Sequence, residues 1–218
     1  MSGGKHLGNY LENKIDGMKK DIRNKRASYI DKNNELIQEF HFAHPKTKIE
    51  VNQIYNSHFT GSPLWDLFSR EADMLYNTWN KSVRLMCDLS IRTHRYFIQP
   101  LAGQHLRITL MKRFLRFIQQ IENSPKLLPN QLLRTIRNDC RSTTGSNLRN
   151  ILLLTKKHDS TMLVPSDVLE IDYLPVPEED KWKISLVKEL IDVKWGEASI
   201  GVFSTNEIDD MLDHICTS

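Results

Sequence analysis

Cysteine is scarce and scattered in this 218-residue chain, with Cys87, Cys140 and Cys216 its only examples. An odd number, wide spacing and the lack of any CxxC or Cys/His cluster exclude an encoded disulfide framework or zinc knuckle, so free thiols are expected. Long apolar runs are missing too. None approaches the roughly 18 to 20 residues a membrane span needs, and "MSGGKHLGNY" lacks the apolar segment of a signal peptide. The expected setting is intracellular, nucleus or cytoplasm, with no membrane partner. Catalytic signatures are absent as well: there is no Gly-rich phosphate loop, no GxSxG and no HExxH. The adjacent carboxylates, Glu178 to Asp180 and Asp209 with Asp210, fall at a helix start and on a helix surface, where they complement the dipole and solubilise; a two-metal site needs carboxylates converging from separate elements. His94, between Arg92 and Arg95, has no carboxylate near it in sequence to make a general base, and reads as structural or phosphate-facing. No catalytic residue, metal or cofactor is expected.

What is present is helix and positive charge. The composition, 39% hydrophobic and 26% charged, is that of an ordinary soluble globular chain. The net charge of +3 hides a division: residues 1–157 hold 26 Lys+Arg against 13 Asp+Glu, and residues 158–218 hold 4 against 14. Such asymmetry suggests a nucleic-acid-facing body with an acidic C-terminal appendage.

Apolar spacing predicts the elements. "KHLGNYLE" reads as a strand end with a turn at Gly8. Met18, Ile22, Tyr29, Leu36, Ile37 and Phe40 recur near helical period over residues 16–42, with Lys19, Lys20, Arg23, Lys25 and Arg26 on the other faces. Pro45 disfavours helix at His44, and a second helix is expected over 47–58. After the "TGSP" turn, Ser69 is a plausible N-cap for a helix reaching Leu89, whose stripe Ala72, Leu75, Tyr76, Trp79, Val83, Met86 and Cys87 faces a core. "SIRTHRYFIQPLAG" breaks the pattern and reads as a strand-like or irregular connection. A helix over 105–121 turns Leu106, Leu110, Phe114, Phe117 and Ile121 inward and leaves Lys112, Arg113 and Arg116 on faces that reach solvent. Ser124 with Pro125 signals another helix start. The helix near 131–141 buries Leu132, Leu133, Ile136 and Cys140, and sets Arg134, Arg137 and Arg141 in a ridge at i, i+3 and i+7. "STTGSN" is a turn opening a helix through Leu148 to Leu154. After residue 157 a proline-bearing linker, with an extended piece at 168–173, leads to helices near 179–194 and after Ser204, the latter with a Ser204/Glu207 capping box and a Phe203/Ile208 staple.

Placed on such helices, the repeated cations suit phosphate backbones, and contacts of that kind position a nucleic acid without reading its sequence. Arginine prevails in the later clusters, which favours bidentate phosphate contact.

The segments "KHLGNYLENKID", "DIRNKRASYI", "IYNSHFTGSPLWDLF", "TWNKSVRLMCDLSIRTHRYFIQPL", "LMKRFLRFI" and "RSTTGSNLRNILLLT" resemble, in this order, the region downstream of the palm in reverse transcriptases of non-LTR (LINE-type) retrotransposons. Residues 5–157 carry the likeness. Lys5, His6, Leu7 and Gly8 are similar to the family's Lys-aromatic-Leu-Gly motif at the primer grip. Thr60 to Trp65 resemble its Tyr-Gly-x-x-Leu-Trp turn, and Leu89 to His94 its Leu-Pro-x-x-Thr-His motif. The family polymerises through palm aspartates in an aromatic-Ala-Asp-Asp turn, which this sequence lacks.

The resemblance therefore implies a non-catalytic C-terminal fragment in a mainly α fold. A palm remnant would span residues 1–15, thumb and connection helices 16–157, and an acidic tail with two helices 158–218. The implied partners are RNA, DNA or an RNA–DNA hybrid, together with the palm and fingers of the parent polymerase. On this reading Met1 marks a truncated insertion or a start inside the element. The rival reading is a helical protein–protein interaction module with no nucleic-acid role, its charges merely solvating it.

Overall fold

The computed structural model describes residues 4–6, 9–11, 15–56, 58–137, 139, 141–154, 178–196 and 204–217. Among these the chain is mainly α, with nine helices and one short strand pair. Strands β1 (Gly4–His6) and β2 (Asn9–Leu11) run antiparallel with Lys5 opposite Tyr10. The helices are α1 (Ile15–Glu39), α2 (Pro45–Asn56), α3 (Arg70–Met86), α4 (Arg95–Leu101), α5 (Leu106–Glu122), α6 (Leu127–Arg137), α7 (Thr143–Leu154), α8 (Lys181–Lys194) and α9 (Thr205–Thr217). The chain divides into two compact units, one of Met1–Arg26, Phe59–Tyr76 and Leu106–Asp172, the other of Ala27–His58, Asn77–His105 and Tyr173–Ser218. The expected linker, its extended piece, Phe203 and Cys140 lie outside the described residues.

The first unit is organised around the segment between Gly61 and Leu67. Gly61 has φ 90°, a left-handed conformation that only glycine adopts at little cost, and it turns the chain into a short 3-10 helix, Ser62–Leu64. The turn delivers Trp65 and Leu67 to the core, 1% and 0% exposed. Three side chains hold it there. Trp65 Nε1 donates to Asp21 of α1 at 2.8 Å, and the Tyr76 hydroxyl donates to the Leu67 carbonyl at 3.0 Å. Asn147 of α7 accepts from the Leu67 amide at 3.1 Å and donates to the Trp65 carbonyl at 2.8 Å.

The expected face of α5 is only partly the observed one. Leu106, Leu110 and Phe114 are buried, but Met111, Leu115 and Ile118 complete the packed side, while Phe117 and Ile121 are half-buried. On α6, Leu133 is buried whereas Leu132 is 58% exposed. The helix starts four residues before the expected Gln131 and ends at Arg137, so Arg141 lies beyond it. The early stop has a local cause. Ser142 Oγ donates toward the Asp139 carbonyl and accepts the Gly145 amide, capping α7. Gly145 is thus helical rather than a turn glycine: a Cβ there would stand 2.3 Å from the Asp139 carbonyl oxygen, so its bare Cα lets the preceding turn approach.

In the second unit α2 begins at Pro45, the first helical position, where its missing N–H has no partner to lose. The Asn52 amide donates to the Tyr29 hydroxyl at 3.0 Å. The stretch read as irregular contains α4, with Phe97, Ile98 and Gln99 buried. Pro100 hid it, but a proline one residue from the end of a seven-residue helix interrupts little. The α3 stripe is buried throughout its length, every one of its seven residues at 4% exposure or less. Trp79 meets His105 edge-on at 4.9 Å, a core packing contact. Ser69 caps α3 by accepting the Ala72 amide, and the Ser204/Glu207 capping box forms at α9: the Ser204 amide donates to Glu207 Oε2 at 2.7 Å and the Glu207 amide to Ser204 Oγ at 3.4 Å. Lys194 of α8, its side chain 7% exposed, reaches both Asp88 and Asp209 at 2.6 Å. Among the described residues no helix is long and apolar enough to cross a membrane.

Candidate nucleic-acid interface

The cations singled out in sequence fall mostly in the first unit, which contains Lys19, Lys20, Arg23, Lys25, Arg26, Lys112, Arg113, Arg116, Arg134, Arg137 and Arg141; Arg92 and Arg95 belong to the second. Helix α1 carries five of them. Ile22 is packed at 1% exposure, and Lys25 and Arg26, three and four residues on, border that packed side and are half-buried. Lys20 and Arg23 point outward and are exposed.

Arg23 of this group is engaged by a carboxylate. Its Nη2 donates to Glu71 Oε1 at 2.7 Å, and this bond, from a guanidinium 65% exposed, holds the Glu71 carboxyl below its ordinary value. On α5, Arg116 is exposed, whereas Lys112 and Arg113 are half-buried. Burial, then the neighbouring Arg116 charge, pulls the Arg113 guanidinium below its usual value. Arg134 on α6 and Arg141 in the following turn are exposed. The expected three-arginine ridge is not one helical face, because α6 has ended before Arg141.

Acidic residues of the same unit are largely engaged in holding it together. Asp21 accepts from Trp65, Glu71 from Arg23, and Asp73 from Arg107, whose guanidinium also lies 4.8 Å from the Tyr76 ring centroid. Arg107 therefore acts as a packing cation, a role that needed the fold to be seen. The described residues of this unit hold 16 Lys+Arg against 7 Asp+Glu. Among the described residues, Arg116, Arg134 and Arg141 form no ion pair, so the positive excess is presented outward rather than cancelled.

Three of the tail carboxylates that could suggest metal chemistry are paired with lysines. Glu178 and Asp180 bond Lys181 and Lys183, and Asp209 bonds Lys194. Among the described residues no three His, Cys, Asp or Glu side chains gather as a metal site requires. Cys87 and Cys216 are buried free thiols, pushed up by burial to about 12 and about 11. Compared with known protein families, with curated proteins and with solved structures, the chain matches none.

Proposed function

We propose that the chain binds the phosphate backbone of a nucleic-acid duplex, such as a template–primer hybrid, through the outward cations of its first unit, contributing binding rather than chemistry. The observation that carries this reading is the charge arrangement: an excess of cations on α1, α5 and α6 beside carboxylates already engaged by Trp65, Arg23 and Arg107. Rigid helices presenting uncompensated arginines suit phosphate, whose oxygens accept the guanidinium fork. The order of motifs similar to those of non-LTR reverse transcriptases gives the reading its class, a thumb and connection region that holds duplex while a palm elsewhere polymerises.

Two measurements test it. Affinity for a 16-base-pair RNA–DNA hybrid, followed by anisotropy across salt, should fall with a log–log slope of about −4 or steeper, as expected for several neutralised phosphates. A flat response refutes the reading. Replacing Lys19, Lys20, Arg23, Lys25 and Arg26 by Ser should then abolish hybrid binding.

One observation favours a protein partner instead. Leu128 and Leu132, one helical turn apart on α6, are 76% and 58% exposed, an apolar pair of the kind a docked helix covers. Under that reading the five serine replacements leave partner binding intact and Leu132→Ser removes it.

A further inference from the structure

Arg92 and Arg95 stand apart from the other cations. In the second unit they line a cleft of about 480 Å³ together with Lys81 and Arg84 of α3, two asparagines of the same helix and His94. Among the described residues no carboxylate lines it, although Asp180 is close enough to interact with the His94 ring.

Its walls are held by backbone and side-chain bonds. Arg84 Nε and Nη2 both donate to the Thr93 carbonyl, at 3.0 and 2.6 Å, fastening the loop that precedes α4 to α3. The Thr93 amide closes a turn on the Ser90 carbonyl, and the His94 amide donates to the Cys216 carbonyl at 3.0 Å. Within this frame the His94 ring lies nearly parallel to Tyr96, 5.2 Å between centroids and 21° between planes. Tyr96 is fixed in turn by donating its hydroxyl to Asp180. An exposed imidazole backed by a second ring, beside Lys81, Arg92 and Arg95, combines a stacking platform with phosphate donors.

Size decides what can enter. A concavity of this volume belongs with sites for small ligands, which run from about 300 to 1,000 Å³, and it has no room for a duplex. We propose that the cleft holds one nucleotide of a single-stranded nucleic acid, the phosphate on Lys81, Arg92 and Arg95 and the base stacked on His94. RNA and DNA strands share this chemistry. The site uses other residues than the duplex-binding helices and does not depend on that reading.

The test uses the full chain with fluorescein-labelled oligo(U) and oligo(dT) ten-mers, and with the RNA–DNA hybrid as reference. His94→Ala should weaken single-strand binding about tenfold, the range that removal of one stacking partner gives. His94→Phe should restore it to within about twofold, since it keeps a ring without the imidazole. Arg92→Ser with Arg95→Ser should flatten the single-strand salt slope by about 1.4, two phosphate contacts' worth. Hybrid affinity should change by less than about twofold in all three, a shift below what one lost phosphate contact produces. The proposal is overturned if neither ten-mer binds, if His94→Ala leaves single-strand binding unchanged, if His94→Phe is as weak as His94→Ala, or if hybrid and single-strand binding fall together. Loss of hybrid binding alone, with these effects intact, would sink the duplex reading and leave this one standing. The His94 ring is exposed and packs on one face against Tyr96 at the surface, so its two variants should melt close to the parent, and they carry the test if the arginine pair unfolds.

Discussion

Asn147 is the polar residue on which the first unit most depends. It is 0% exposed, and its amide satisfies the Leu67 N–H and the Trp65 carbonyl, residues 80 and 82 positions away in sequence. Asn147→Ala removes both partners from buried backbone groups that helix or sheet cannot satisfy. A buried group left without its bond costs about 1 to 3 kcal/mol, so two of them should cost about 2 to 6 kcal/mol before local relaxation. In a chain of this length about 2 to 4 °C of Tm accompanies each kcal/mol, giving a fall of about 4 to 24 °C. Urea unfolding by circular dichroism measures the loss, and amide exchange at Leu67 localises it. Asn147→Asp sharpens the test. Its carboxylate still accepts from the Leu67 amide but meets the Trp65 carbonyl as a second acceptor, and burial raises its pKa. The folded state then binds more protons than the unfolded one, so this variant should gain stability on the parent as pH falls from 8 to 5. A change under about 0.5 kcal/mol for Asn147→Ala, the level of an ordinary surface substitution, or a pH-independent deficit for Asn147→Asp, would refute the reasoning.

Gly145→Ala places a Cβ 2.3 Å from the Asp139 oxygen and 2.8 Å from that of Ile136. Both are backbone atoms, so the urea midpoint should fall by the equivalent of about 1 to 3 kcal/mol, and an unchanged midpoint would deny the close approach. Lys194→Met leaves Asp88 and Asp209 facing each other; because both carboxylates are half-exposed or more, the expected cost is about 1 to 2 kcal/mol rather than that of a fully buried pair. Burial lowers the Lys194 pKa, but its bonds to Asp209 and Asp88 outweigh burial and the net shift is upward from 10.5. The ammonium's contribution is therefore complete below that value and lost as pH rises through the raised one, so parent and variant should differ equally at pH 6 and 9 and converge above it. In a Cys140→Ser background, Ellman's reagent at pH 8 should label neither Cys87 nor Cys216 until urea unfolds the chain, since burial keeps both thiols protonated; rapid native labelling would contradict the packing.

Where the pattern is repetitive, the helices could be read in advance. The α3 stripe from Ala72 to Cys87 and the capping box at Ser204 are local in cause, the first a matter of 3.6-residue spacing and the second of two side chains three residues apart. Where short helices depend on their surroundings, reading failed. Pro100 disguised α4 because a proline penalises helix interiors, yet this helix ends beside it and is held by burial of Phe97 and Ile98. Spacing alone aligns Arg141 with Arg134, and the Ser142 cap, which redirects the chain, breaks that alignment.

The candidate sites divide the same way. By itself the sequence determined the long periodic helices such as α3, which helices are rich in cations, and that the positive excess lies before residue 158, since these follow from composition and period. Only the tertiary structure decided which cations are outward and which serve packing, Arg107 against Asp73 and Tyr76 being the plainest example. It alone brought Lys81 and Arg84 beside Arg92, His94 and Arg95. The reason is physical: periodicity fixes the face of one helix, whereas a cleft or an ion pair arises where residues far apart in sequence meet, at positions set by how whole faces bury one another.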